Sequence, residues 1–163
     1  MSGMKIGFIG ASGLMGHGMA KNLRAKGHDL SLTVHRRRDA VADLLAAGAT
    51  EAPTAAALAA GSEMVFICVT GSPQVEAVVA GEQGLLAGAK PGLVIVDCST
   101  SEPDSTARLR ERCAAQGVTL VDAPLSRTPV EAEAGRLNVM VGAEPEVMAR
   151  LEPCLLYTSD AAD

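Results

Sequence analysis

Aromatic residues are almost missing from this sequence: there is no Trp, one Tyr and two Phe in 163 residues. A core must therefore be built from Ala, Val, Leu, Ile and Met, as in α/β proteins whose helices cover a sheet. No run approaches the ~18 to 20 apolar residues of a membrane span. Met1 to Lys5 is not a charged leader ahead of a long apolar stretch, so neither a membrane segment nor a signal peptide is expected. Acidic residues outnumber basic ones, 19 to 14, for a net charge of −5. With so few aromatics, that balance argues against a nucleic-acid-binding surface. The four cysteines, Cys68, Cys98, Cys113 and Cys154, form no C-x-x-C pair and no metal-ligand spacing, so no metal site is expected. Two of them sit in the apolar runs MVFICV and LVIVDC, where a free Cys behaves as a small buried hydrophobe. A reduced, cytoplasmic setting follows.

What is present is 48% hydrophobic and 20% charged, the composition of a globular domain. Short β-branched runs, 5–10, 30–35, 64–69, 93–98, 118–123 and 137–142, are mostly continuously apolar, as strands buried on both faces must be. Between them, Met15, Met19 and Leu23 make one stripe of an amphipathic helix over 14–26. Helices are expected over 39–47 and 53–60, the latter with Pro53 in its first turn. Two more, 72–81 and 101–117, open on a Ser cap and Pro and close at Gly. This alternation predicts right-handed βαβ units, a mostly parallel sheet with helices on both faces, and a doubly wound α/β fold. Residues 154–163, CLLYTSDAAD, interrupt the last helical pattern and carry the only Tyr. Their back-translation resembles an adapter used in fragment-library sequencing. The domain is thus expected to span 1–153, with 154–163 a translated adapter or cloning scar and the natural chain continuing elsewhere.

The first strand leads into a glycine-rich loop, GASGLMG, with glycines at Gly10, Gly13 and Gly16. Between a strand and a helix, such a loop allows a tight turn and lets backbone N–H groups approach a pyrophosphate at the positive end of the helix dipole. The alternative is a turn that merely packs a helix on the strand. At the end of the second strand, where an NAD site presents an acid to the ribose, stand His35, Arg36, Arg37 and Arg38. Three arginines ahead of a helix N-terminus repel one another and the dipole. The 2′-phosphate of NADP would neutralise them; the alternative is a solvated turn paired with Asp39 and Asp43.

Together, IGFIG…GLMGHGMAKNL, DCSTSEP (97–103) and DAPLSRTPVEAEAGRLNVMVGA (122–143) resemble the β-hydroxyacid dehydrogenases, relatives of 3-hydroxyisobutyrate dehydrogenase and 6-phosphogluconate dehydrogenase. The resemblance runs from about 4 to 153. It implies an NAD(P)-binding Rossmann domain followed by an all-helical domain that is absent here, and a parent enzyme that is a homo-oligomer. It places the pyrophosphate on Gly10, Ala11, Ser12, Gly13, Leu14 and Met15, and puts Val69 and Thr70 beside the cofactor. NADP is the expected cofactor, with NAD the alternative. Ser99 falls near the nicotinamide and substrate, although it could equally serve as a helix N-cap. The loop that grips a small carboxylate substrate corresponds to 122–128. There Ser126 is kept, while Arg127 and Thr128 replace two glycines. Arg127 could bind a carboxylate bidentately or point to solvent.

The family's general acid/base is a Lys on the interdomain helix, and no residue of this chain corresponds to it. The chain by itself is therefore expected to be inactive, the cofactor-binding part of an oxidoreductase moving hydride between NADP(H) and a small β-hydroxyacid or semialdehyde. The alternatives are an imine reductase of the same superfamily, or a non-catalytic NADP-binding module. A short-chain dehydrogenase is disfavoured for want of a Tyr-x-x-x-Lys pair.

Overall fold

In a computed structural model the protein is described over residues 3–126, 128–136, 138, 139 and 141–158. The chain starts with β1 (Lys5–Ile9), α1 (Leu14–Ala25) and β2 (Asp29–Leu32). A 3-10 turn (Arg38–Val41) then runs into α2 (Ala42–Ala46), β3 (Thr50–Glu51) and α3 (Ala55–Ala60). Next come β4 (Met64–Ile67), α4 (Ser72–Ala80), α5 (Leu85–Gly88), β5 (Val94–Asp97), α6 (Pro103–Ala114) and β6 (Thr119–Asp122). The last elements are β7 (Leu125–Ser126), α7 (Pro129–Glu133), β8 (Asn138–Val139) and α8 (Pro145–Thr158).

Six strands form one sheet in the order β3-β2-β1-β4-β5-β6, every neighbouring pair parallel. Because successive side chains leave a strand on opposite faces, the apolar runs split into two cores. Ile6, Phe8, Phe66, Val96 and Val121 face α1, α2, α7 and α8, where they meet Met19, Leu23, Leu44, Ala132 and Leu151. Ile9, Val65, Ile67, Ile95 and Leu120 face α3 to α6 and meet Leu58, Val75, Val79, Leu85 and Leu109. The two Phe are fully buried and stack at 6.1 Å on the first face. Each contributes roughly 1.5–3 kcal/mol by its removal from water. This is the doubly wound architecture that the strand–helix alternation predicts.

Four local expectations change. Of the run 137–142, Asn138–Val139 lies outside the parallel sheet and pairs antiparallel with β7 in a separate two-stranded ribbon. α3 begins at Ala55, after Thr54, whose hydroxyl accepts the Ala57 N–H; a side-chain cap fixes the start better than Pro53 does. The caps of α4 and α6 are Gly71 and Glu102, so Ser72 and Ser101 do not hold those positions. Cys154 does not interrupt the last helix, which continues to Thr158 with Cys154 buried and its thiol 3.7 Å from the Met4 sulfur. No helix among the described residues is long and apolar enough to cross a membrane.

Candidate functional site

Parallel strands put all their carboxyl ends on one edge, and the order places β1 and β4 at the centre, where the chain reverses its direction of winding. Ligands of open α/β sheets sit outside this switch point. Gly10 leaves β1 there, Val69 and Thr70 leave β4, Ser99 leaves β5, and His35 to Arg38 leave β2.

The glycine loop is a hydrogen-bonded turn. The N–H of Gly13 donates to the Gly10 carbonyl at 3.0 Å, and Ala11 in the turn is buried in the first core. The extra residue in G-x-x-G-x-x-G thus forms a closed four-residue turn that delivers Gly13 as the N-cap of α1. The three glycines serve different ends. Gly10 has φ +99, and a Cβ on it would run into the carbonyl of Cys68. A Cβ on Gly16 would run into the carbonyl of Gly10. Gly13, exposed and with φ −82, would meet nothing closer than 3.3 Å. The fold therefore demands the first and third glycines and leaves the second free.

Helix α1 starts without a side-chain cap and without an acid in its first turn. Its first amide groups lack intrahelical partners and carry the positive end of the dipole. A bare helix start beside a turn bounded by two glycines fits a pyrophosphate. Ser12 is half-buried, Leu14 is 79% exposed and Met15 packs partly against the core.

Ser99 is no helix cap. Its hydroxyl accepts the Val69 N–H at 2.9 Å, which joins two of the expected cofactor segments. Sequence reading missed Asp97, a buried carboxylate at the end of β5. One of its oxygens accepts the Ser99 N–H and the other the Ser101 hydroxyl, both at 2.9 Å, so it shapes the turn that carries Ser99. An acid closing an otherwise apolar strand was the available signal. Asp122 lies opposite Asp97 in register on β6, and burial and then the Asp97 charge raise its pKa. Burial, and then the Asp97 charge, push the Cys68 thiol up to about 11.

On the arginine turn, Arg38 is taken up by Glu51 of β3 at 2.8 Å. Arg36 and Arg37 are exposed and make no ion pair with a described residue. The alternative of internal pairing with Asp43 fails, because Asp43 instead meets His17. Of the substrate loop, Ser126 lies exposed on β7 and Thr128 is the N-cap of α7, donating to Glu131 at 3.2 Å. Neither bonds to Ser99, and Arg127 lies outside the described residues.

Also unanticipated is the way α7 is fixed to α1. Asn22 donates to the carbonyls of Ala132 and Glu133 at 3.0 and 3.1 Å, and a Cβ on Gly18 would come within 2.5 Å of that backbone. An open groove of about 450 Å3 between α4 and α6, lined by Pro73, Glu76, Arg108 and Arg112, contains none of these residues and belongs to the second face of the sheet.

The profile of the NAD-binding domain of 6-phosphogluconate dehydrogenase matches residues 5–162. A 2-hydroxy-3-oxopropionate reductase of Escherichia coli K12 is 40% identical over 151 residues, covering 92% of this chain and 50% of that protein. A 3-hydroxyisobutyrate dehydrogenase of Pseudomonas aeruginosa is 37% identical over 150 residues, with coverage of 92% and 50%. The solved structure of Psf3 in complex with NADP+ and 2-OPP superposes with a TM-score of 0.86 at 32% identity, covering 94% of this chain and 54% of that one. The chain spans about half the length of the curated relatives it matches. It belongs to the family of the NAD-binding domain of 6-phosphogluconate dehydrogenase, within the β-hydroxyacid dehydrogenases, and is an NAD(P)-binding domain.

Proposed function

We propose that this domain serves an NADP-preferring oxidoreductase that interconverts a small β-hydroxyacid and its semialdehyde. Arg36 and Arg37 carry the reading: two exposed guanidinium groups without a carboxylate partner among the described residues, one strand from the glycine loop and on the same edge of the sheet. A 2′-phosphate there gains charge-assisted bonds that the ribose of NAD cannot offer. Bound NADP supplies the hydride acceptor. In this reading the turn Gly10–Gly13 and the start of α1 hold its pyrophosphate. Ser99, kept in place by Val69 and Asp97, faces the reacting carbon, and Ser126, Arg127 and Thr128 grip the substrate carboxylate.

The proton leaving the hydroxyl is assigned to none of the chain's four lysines. Lys5 is the first residue of β1 and Lys26 and Lys90 precede β2 and β5, all at the amino edge of the sheet, and Lys21 is held by Glu133 at 2.9 Å. The domain alone therefore binds cofactor and does not turn over.

Titration with NADPH and NADH tests the reading. NADPH should bind more tightly, and Arg36→Ala and Arg37→Ala should each lower its affinity about 10- to 100-fold, the worth of a bond to a charged group, while leaving NADH unchanged. Equal affinities in the wild-type chain would overturn the NADP assignment.

A further inference from the structure

His17 follows Gly16 on α1 and reaches two other helices. Its Nδ1 meets Glu133 of α7, and its Nε2 meets both oxygens of Asp43 of α2 at 3.0 and 2.8 Å. A neutral imidazole has one N–H and one lone pair, so it can satisfy only one of two carboxylates; the cation donates to both. Carboxylates on both ring nitrogens therefore define an imidazolium. Two charged groups face the ring, Asp43 and Glu133, and Glu133 also engages the ammonium of Lys21 on α1 itself at 2.9 Å. Helix α8, which also packs on α1, brings apolar Val147, Met148 and Leu151 to the shared core.

The two clasps are unequal. α7 has independent anchors to α1 in Asn22 and the close approach at Gly18. Asp43 is more exposed than Glu133, 56% against 38%, and its carboxylate can turn into water. A ring that loses its proton therefore keeps Glu133 and releases Asp43. Asp43 lies five residues after Arg38, on the helix that continues the arginine turn.

We propose that His17 is a positioning residue for the 2′-phosphate end of the cofactor site: its imidazolium tethers α2 and the arginine turn to α1, and loss of the tether weakens the grip on NADPH. The proposal rests on the reading of Arg36 and Arg37 given above. Burial of the ring works against its charge, but the bonds to Asp43 and then to Glu133 outweigh it, and the pKa of His17 lies above its ordinary 6.5. With a raised value, the tether is complete below that ordinary value and is lost as pH rises through the raised one. NADPH affinity falls in that direction; NADH affinity does not.

The test measures dissociation constants of NADPH and NADH by nicotinamide fluorescence from about pH 6 to about pH 9. The chains compared are the wild type, His17→Gln, Asp43→Asn and His35→Gln, the last because a second imidazole adjoins Arg36. The wild-type NADPH constant should rise about threefold to fivefold across the window, the scale of a partly exposed ion pair. His17→Gln and Asp43→Asn should both give a flat profile at the weak, high-pH level, and His35→Gln should keep the slope. Asp43→Asn cuts the tether without touching α1, so it decides the matter even where His17→Gln does not fold. A preference for NADPH with the same slope in wild type and Asp43→Asn overturns this proposal alone. Equal affinities for the two cofactors at every pH overturn the arginine reading, and this proposal with it.

Discussion

Gly13→Ala separates what the glycine loop does for the fold from what it does for the cofactor. The position is exposed, its φ of −82 is open to any residue, and the added methyl meets only the Gly10 carbonyl at 3.3 Å. That neighbour must yield by a few tenths of an ångström. Alanine is also a poorer N-cap than glycine, by ~0.5–1 kcal/mol. The loss of stability should therefore stay near 1 kcal/mol, a Tm shift of about 2–4 °C for a chain of this size. Binding should suffer more. Under the proposed reading, a methyl at the start of α1 stands where the pyrophosphate approaches the backbone, and loss of one bond to a charged group costs about 1.5–3 kcal/mol. That corresponds to roughly 10- to 150-fold in affinity. Urea unfolding followed by circular dichroism reads the first quantity and NADPH titration the second. An alanine variant that binds NADPH like the wild type would show that the open space at Gly13 serves no ligand. One destabilised by more than about 3 kcal/mol would refute the packing argument.

Gly18→Ala should behave in the opposite way. Its methyl would lie 2.5 Å from the backbone of Ala132 and Glu133, so α1 and α7 must part and the Asn22 bonds stretch. A net loss of about 2–4 kcal/mol is expected after the ~1 kcal/mol gain in helix propensity. Gly61→Ala, with nothing closer than 3.8 Å, should lie within about 1 kcal/mol of wild type; equal urea midpoints for the two variants would contradict this. Burial pushes the Cys68, Cys113 and Cys154 thiols up to about 11, with the Asp97 charge adding to the effect at Cys68. Native chains at about pH 8 should therefore react with iodoacetamide far more slowly than urea-unfolded ones. Mass spectrometry showing fast native labelling of Cys68 would refute that environment.

The parts of this molecule that were legible from sequence are those in which cause and effect are close along the chain. β1, β4, β5 and β6 stand out as apolar runs because both of their faces are buried. The glycine loop stands out because turn, helix start and strand end lie within a dozen residues. β3 and β7 are two residues long and α5 four, too short for a period to register. The ribbon β7–β8 was misplaced because apolar content says a strand forms but not which edge it joins. The clasp at His17 was out of reach, since its partners are 26 and 116 residues away. A lone His on an amphipathic helix gives no hint of two carboxylates converging on it. Nor could charge counting show that Glu51 takes Arg38 and leaves Arg36 and Arg37 without an ion pair among the described residues.

Helix α1 carries two separate sets of constraints. Gly13 and Gly16 shape its start at the carboxyl edge of the sheet, while His17, Gly18, Lys21 and Asn22 fit its flank to α2 and α7. A substitution on this helix therefore also acts on its contacts with α2 and α7. The Arg36 and Arg37 side chains are exposed and bound to no described residue, while the turn that carries them is tied to α1 through Asp43 and His17. If these two side chains read the 2′-phosphate as proposed, substituting them alone changes cofactor choice and leaves α1 and its clasps in place.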